Sequence, residues 1–341
     1  MNRHDQGLWL RTSPHDRAAT DTPRIMRDVL LALTPVSLAA LLYFGVAAVL
    51  VVGGAVAGCV ATEAAFAPRG RRTASLRDGS ALLTGLLLGL TLPPSFPVWM
   101  AFLGGVVAIG LGKVVWGGLG HNLFNPALVG RAFLQAAFPT AITTWSPQRA
   151  QDLAVYASNL AMPFMKAPVD AISTATPLGL MKFQGQGTDL WSLLVGDCPG
   201  SLGETSAVLL LVGGVYLWRR RALDWRIPAA ILGTVFVFSG LVWLVAAKAP
   251  PPWFMLGSGG LMLGALFMAT DPVTSPMAPL GAWIYGAGIG VLVVLIRLWG
   301  GLPEGVMYAI LLMNAVTPLI NRGIQPTPFG RGRKAPREES P

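Results

Sequence analysis

From Val29 to Thr62 the chain carries no charged residue, a run of 34 positions. As a single helix it would stretch about 50 Å at 1.5 Å per residue. A bilayer core is only about 30 Å thick, so the run is read as two helices with a turn near Phe44-Gly45. Further apolar runs follow at about 79–93, 97–116 and 122–139, then at 203–218, 227–247, 254–269, 280–298 and 304–320. Ten spans result. Only 12% of the residues are charged, about half the share usual in a soluble domain, and mean hydropathy is +0.58.

Lysine and arginine orient the spans. Five lie in the N-terminal tail (Arg3, Arg11, Arg17, Arg24, Arg27) and four after the second span (Arg69, Arg71, Arg72, Arg77). Four follow the sixth (Arg219, Arg220, Arg221, Arg226) and five close the chain (Arg322, Arg331, Arg333, Lys334, Arg337). With ten spans and the N-terminus inside, all four clusters face the cytoplasm, as the positive-inside bias requires. The net charge of +9 is thus spread over loops and forms no nucleic-acid patch. The expected organisation is a cytoplasmic tail (1–28), a five-helix unit (29–139), an external loop (140–200), a second five-helix unit (201–320) and a basic tail (321–341).

The two units echo each other. "GSALLTGLLLGLTLPPSFP" from Gly79 resembles "GSGGLMLGALFMATDPVTSP" from Gly257. Each is followed by a span ending in a cation and a glycine pair, "KVVWGGLG" at Lys113 and "RLWGGLPEG" at Arg297. Units of five spans are inverted relative to each other, a recurrent architecture whose binding sites lie on broken helices. Thr91-Leu92-Pro93-Pro94 and Thr270-Asp271-Pro272 would supply the breaks, since proline removes a backbone donor and frees a carbonyl. A plain kink explains either proline motif equally well. Asp271 adds an ionisable group at membrane depth, which points to an ion or cofactor path.

Three polar segments remain. "GGLGHNLFNPALVGRAF", from Gly117, carries Asn122 and Asn125, three apart. On a helix they would share a face and suit the edge of a ring such as a flavin, although amides also cap broken helices. "GSLGETS", from Gly200, places Glu204 in the first turn of the sixth span, where the helix dipole alone accounts for an acid; cation passage is the second reading. Glu63 is similarly ambiguous. Cys59 and Cys198 are far apart and read as ordinary thiols, with no spacing for zinc or an iron–sulfur cluster. The string "DAISTATPL", Asp170 to Leu178, offers three hydroxyls without a base to activate them. It is either an inert external turn or a site modified by another enzyme.

"DAISTATPL" resembles a flavinylation motif. Together with "GLGHNLFNPALVGRAF", "GSLGETS", "DWRIP" at Asp224 and "MATDPVTSP" at Met268, it makes nearly the whole chain similar to the NqrB/RnfD family, with the short tail nearer the RnfD branch. These are membrane subunits of the sodium-pumping NADH:quinone oxidoreductase and of the Rnf ion-translocating electron-transport complex. The resemblance implies FMN joined through its phosphate to Thr176 by a flavin transferase that recognises Asp170, Ser173 and Ala175. Thr174 departs from the glycine that many members carry there. It implies a second, non-covalent flavin (riboflavin) at Asn122 and Asn125, and an interior-facing role for Asp271.

The implied partners are the other Rnf subunits (A, B, C, E and G), the transferase and membrane lipid, with ferredoxin or flavodoxin and NAD reached only through those subunits. The implied place is a bacterial inner membrane, with the flavin loop outside. The chain has no nucleotide-binding glycine fingerprint, so no complete reaction is expected of it alone. A flavin-free solute channel of five-plus-five type is the competing class.

Overall fold

The computed structural model describes residues 21–67, 72–146, 155–163, 175–196, 198–204, 206–246 and 249–325. Among them are nine helices of eleven or more residues and no β-strand. In chain order they are α1 (Thr22–Phe44), α2 (Val46–Phe66), α3 (Ser80–Leu90), α4 (Val98–Ile109) and α5 (Pro126–Ala137). After a stretch of short turns come α6 (Ala207–Arg219), α7 (Arg226–Val245), α8 (Pro279–Trp299) and α9 (Val306–Gly323). Four of them, α1, α2, α7 and α8, are long and apolar enough to cross a membrane.

The charge-free run divides where the sequence predicts. Gly45 takes φ +64°, a conformation that L side chains rarely adopt, and so ends α1 and starts α2 without a connecting loop. The run at 254–269 is not one helix. It consists of Pro252–Gly257, a turn at Gly259 (φ +68°), a three-residue turn of helix at Leu261–Leu263 and a wide π turn at Gly264–Met268. Gly259, in a conformation that L side chains rarely adopt, breaks the helix, and the wide turn then runs into Thr270-Asp271-Pro272.

Packing repeats across the two halves. In the first, α2 meets α4 at backbone distance. A Cβ on Gly58 would collide with the Phe102 carbonyl oxygen, and one on Gly105 with that of Ala55. In the second, α7 meets α8 the same way: a Cβ on Gly286 would lie 2.7 Å from the Ile227 carbonyl oxygen, and one on Gly290 2.7 Å from Thr234 Cβ. Between apolar helices in lipid no hydrophobic gain drives association, so such close van der Waals approach supplies it.

The first break leaves carbonyls that must find donors, and four of them do so across the fold. Arg131 Nη1 donates to Thr91 O (2.5 Å), Leu202 N to Leu92 O (3.1 Å), and Asn159 Nδ2 to Pro94 O and Phe96 O (2.8 and 2.9 Å). At the second break Asn125 Nδ2 donates to Met268 O (3.0 Å). Side chains of α5 and its cap therefore reach both broken segments.

Candidate functional site

Two clusters of buried polar groups sit at the ends of the broken segments. The first gathers around Lys113, which leaves α4 through a π turn at Gly110–Val114. Its ammonium donates to both carboxylate oxygens of Glu63 (2.8 Å each) and to Ser80 Oγ (2.7 Å). Ser75 Oγ also donates to Glu63, and Ser80 Oγ donates to Asp78 (2.6 Å). Glu63, ambiguous in the sequence, is the partner of a buried lysine.

Beside this cluster lies a small cavity of about 70 Å³ lined by Lys113, Asn122, Asn125, Thr270 and Asp271. The structure thus brings together three of the expected site residues, but not in the expected way. Asn122 and Asn125 do not share a helix face. Pro126 starts α5 at its first position, which leaves Asn125 as the cap, accepting from Ala127 N at 3.0 Å. Asn122 belongs to the preceding loop. It donates to Phe124 O (3.3 Å), while its Oδ1 is buried without a hydrogen-bond partner. Asp271 folds onto its own turn, accepting from Val273 N and Thr274 Oγ1 (3.3 Å each).

The second cluster gathers around the Gly259–Gly260 turn. Arg297, at the end of α8, donates through Nη1 to Met255 O (2.5 Å) and through Nη2 to Ser258 O (2.9 Å). Arg131 Nη2 pairs with Glu304 Oε2 (3.0 Å), and Glu304 Oε1 accepts from Gly260 N (2.6 Å). Glu204 stands opposite. It is not in the first turn of a helix: it closes a separate 3₁₀ turn (Leu202–Glu204), and Ser206 caps α6 by accepting from Leu209 N (3.3 Å). A serine cap is the better fit to the free donors of a helix start, so the acid is left for other contacts.

Glu204 and Glu304 also reach a larger cavity, of about 430 Å³, lined by Trp145, Ala175, Thr176 and Phe183. Thr176 caps the short turn Pro177–Gly179, and its Oγ1 accepts from Gly179 N (3.2 Å). That bond does not commit the hydroxyl proton. Asp170 and Ser173 lie outside the described residues. Sequence reasoning missed Lys182, which donates to Ile296 O (3.3 Å), Gly300 O (2.5 Å) and Leu302 O (2.9 Å). It ties the Thr176 segment to the carbonyl end of α8, and its desolvation lowers its pKa below the ordinary lysine value. A cation after an apolar run was the available signal.

This arrangement has relatives. The family described as NQR2, RnfD, RnfE matches residues 9–330. The chain belongs to that family. It is 42% identical over 338 residues to the D subunit of the proton-translocating ferredoxin:NAD(+) oxidoreductase complex of Clostridium ljungdahlii, covering 95% of this chain and 96% of that one. It is 42% identical over 328 residues to the D subunit of the ion-translocating oxidoreductase complex of Stutzerimonas stutzeri, covering 91% and 93%. With the D subunit of the Na(+)-translocating ferredoxin:NAD(+) oxidoreductase complex of Acetobacterium woodii it shares 40% over 324 residues, covering 94% of each. Family membership therefore spans both polar clusters and both cavities.

Proposed function

We propose that this chain is the flavin-carrying membrane subunit of an ion-translocating ferredoxin:NAD⁺ oxidoreductase complex, with FMN joined through its phosphate to Thr176. The observation that carries the reading is the cavity at Thr176. A hydroxyl with an uncommitted proton opens onto about 430 Å³, within the few hundred cubic ångströms that ligand pockets usually offer. Trp145 and Phe183 add apolar ring surface, and the match to the relatives from ion-translocating complexes covers the whole site.

A bound flavin supplies one- and two-electron transfer, which no side chain here performs. The chain's own residues do the rest. Thr176 tethers, Lys182 holds the tethering segment on α8, and Arg131 with Glu304 keeps the cavity floor in place. Electrons come from and go to the other Rnf subunits (A, B, C, E, G), which also handle ferredoxin or flavodoxin and NAD. The transferase reads Asp170, Ser173 and Ala175.

The proposed topology is ten crossings in two inverted halves, in a bacterial inner membrane with Thr176 outside and both termini inside. Its support is the paired packing of α2 on α4 and α7 on α8, and the matching cation–serine contacts of Lys113 with Ser80 and Arg297 with Ser258. For the riboflavin expected at Asn122 and Asn125, Asn122 Oδ1 is a fitting free acceptor. The cavity of about 70 Å³ does not hold an isoalloxazine ring, so no step is assigned to it. Asp271 and Glu204 lie at opposite ends of the segment 261–268 and belong to the proposed cation path. Relatives named for protons and for sodium are similar to nearly the same degree, at 42% and 40%, so the reading stays with cations as a class.

The test is a denaturing gel of the purified chain under ultraviolet light. A fluorescent band that vanishes in Thr176→Val, with the added mass of FMN on the Thr176 peptide, is expected. A dark band from cells containing the transferase overturns the covalent flavin and favours the flavin-free channel. For the cation path, Asp271→Asn and Glu204→Gln are compared for ion transport into vesicles at fixed electron flux, and unchanged transport in both removes them.

A further inference from the structure

Buried polar atoms without partners are not scattered through the described residues. Seven side-chain atoms have none, and four of these belong to the second cluster: Glu204 Oε1, Ser201 Oγ, Ser258 Oγ and Arg297 Nε. Ser201, Ser258 and Arg297 are at most 3% exposed. Each orphaned group in a low-dielectric site is costly, so a concentration of them marks a place built to hold something mobile.

The carboxylates there are not equivalent. Glu304 has a guanidinium at 3.0 Å and a backbone N–H at 2.6 Å. Glu204 has one long contact, from Ser201 N at 3.4 Å, and a bare Oε1. Both Oε1 atoms converge on Gly260: a Cβ there would lie 2.6 Å from that of Glu304 and 3.2 Å from that of Glu204. The charged groups facing Glu204 are Glu304, Arg131 and Arg297. The turn Leu202–Glu204 also packs on α1, α3 and Leu261–Leu263. The last two carry no charge, and α1 holds Arg24, Arg27 and Asp28 in its first two turns, where Asp28 binds Arg220. Arg131 is spent on Glu304 and Thr91, and Arg297 on two carbonyls. A buried carboxylate with a single long donor contact that stands beside a second, better-supported carboxylate keeps its proton.

We propose that Glu204 is a proton donor and acceptor for the flavin on Thr176, with Glu304 as the positioning residue that keeps Glu204 protonated by holding Arg131 to itself. The inference rests on the covalent-flavin reading, since Glu204 and Thr176 line the same cavity. As the ring is reduced, the Glu204 carboxyl gives up its proton, breaking its O–H bond while an N–H bond forms on the ring. Water at the cavity mouth supplies the second proton, and a reduced redox group of a partner subunit supplies two electrons. On reoxidation one proton returns to the Glu204 carboxylate and the other leaves to water at the cavity mouth.

Infrared spectroscopy of the whole complex tests this without relying on turnover. In Thr176→Val, which carries no flavin, a protonated-carboxyl band is expected at neutral pH. It should be lost in the further variant Glu204→Gln and weakened in Glu304→Gln, where the released Arg131 ionises Glu204. In the flavin-bearing complex, Glu204→Gln should slow flavin reduction by about 10²-fold, the low end for general acid catalysis, and flatten its pH profile. Glu204→Asp should restore part of both. Absence of the band in Thr176→Val, its survival in Glu204→Gln, or an unchanged reduction rate overturns the proposal. A parent complex that is dark on the gel but shows the band overturns the flavin reading and with it the transfer step, while leaving the protonated acid. Should Glu204→Gln fail to assemble, Glu304→Gln decides the outcome by the same band.

Discussion

The two polar clusters are built from similar parts and end in opposite states. In the first half a cation at the end of α4 reaches the serine that opens a broken segment, and the polar groups around it are paired: Lys113 has three acceptors, and Glu63 and Asp78 accept from Ser75 and Ser80. In the second half Arg297 reaches Ser258 in the corresponding place, yet Ser258 Oγ, Arg297 Nε and the neighbouring Glu204 Oε1 are left without partners. A complete network rigidifies, whereas an incomplete one has free energy to give a ligand or a proton. The closed cluster is thus a structural lock, and the open one is where the proposal places proton transfer.

Breaking the lock should have the largest effect. Lys113→Met leaves Glu63 buried and unpaired, which costs about 3–5 kcal/mol; the measurement is thermal denaturation of the detergent-solubilised complex. The double variant Lys113→Met/Glu63→Leu should recover most of that loss, because a buried pair replaced by apolar groups is near neutral. Failure to recover would mean that the cation acts beyond the pair.

Close packing comes next. Gly58→Ala and Gly286→Ala each force a methyl onto a backbone oxygen, and strain of this kind costs about 1–3 kcal/mol. Similar losses in both are expected from a repeated architecture, while a loss in only one would break the correspondence.

The serines sharpen the contrast directly. Ser80→Ala removes a hydrogen bond to a charged group, worth about 1.5–3 kcal/mol, whereas Ser258→Ala removes an unpartnered buried hydroxyl and should leave the melting temperature unchanged or raise it. The most local effect is expected from Lys182→Met. It frees the Thr176 segment from three carbonyls of the α8 end and should appear as faster hydrogen exchange over 175–184 with little change in overall melting.

Much of this was legible in the chain itself. Thirty-four uncharged positions with one well-placed glycine dictated α1 and α2, and the two proline motifs marked both breaks. The cation-and-glycine echo, a sign only of repetition in the sequence, falls at Lys113 and Arg297, around which the two clusters gather. Other features were misread because one-dimensional spacing does not reveal where a helix begins. Asn122 and Asn125 both precede α5, one in the loop and one as its cap, and Glu204 sits two residues before the cap of α6. The small-residue pattern Gly54-x₃-Gly58 and Gly286-x₃-Gly290 was readable and would have paired α2 with α4 and α7 with α8.

By itself, then, the sequence determined a helical membrane chain with two broken segments and a hydroxyl-rich loop, because hydrophobic length, proline and glycine act locally. Which acids are paired and which stand free was decided only by the tertiary structure. Glu63 meets Lys113 across 50 positions, and Arg131 meets Glu304 across 173. Only folding brings such partners within reach, and it left Glu204 beside Thr176 with one oxygen unclaimed.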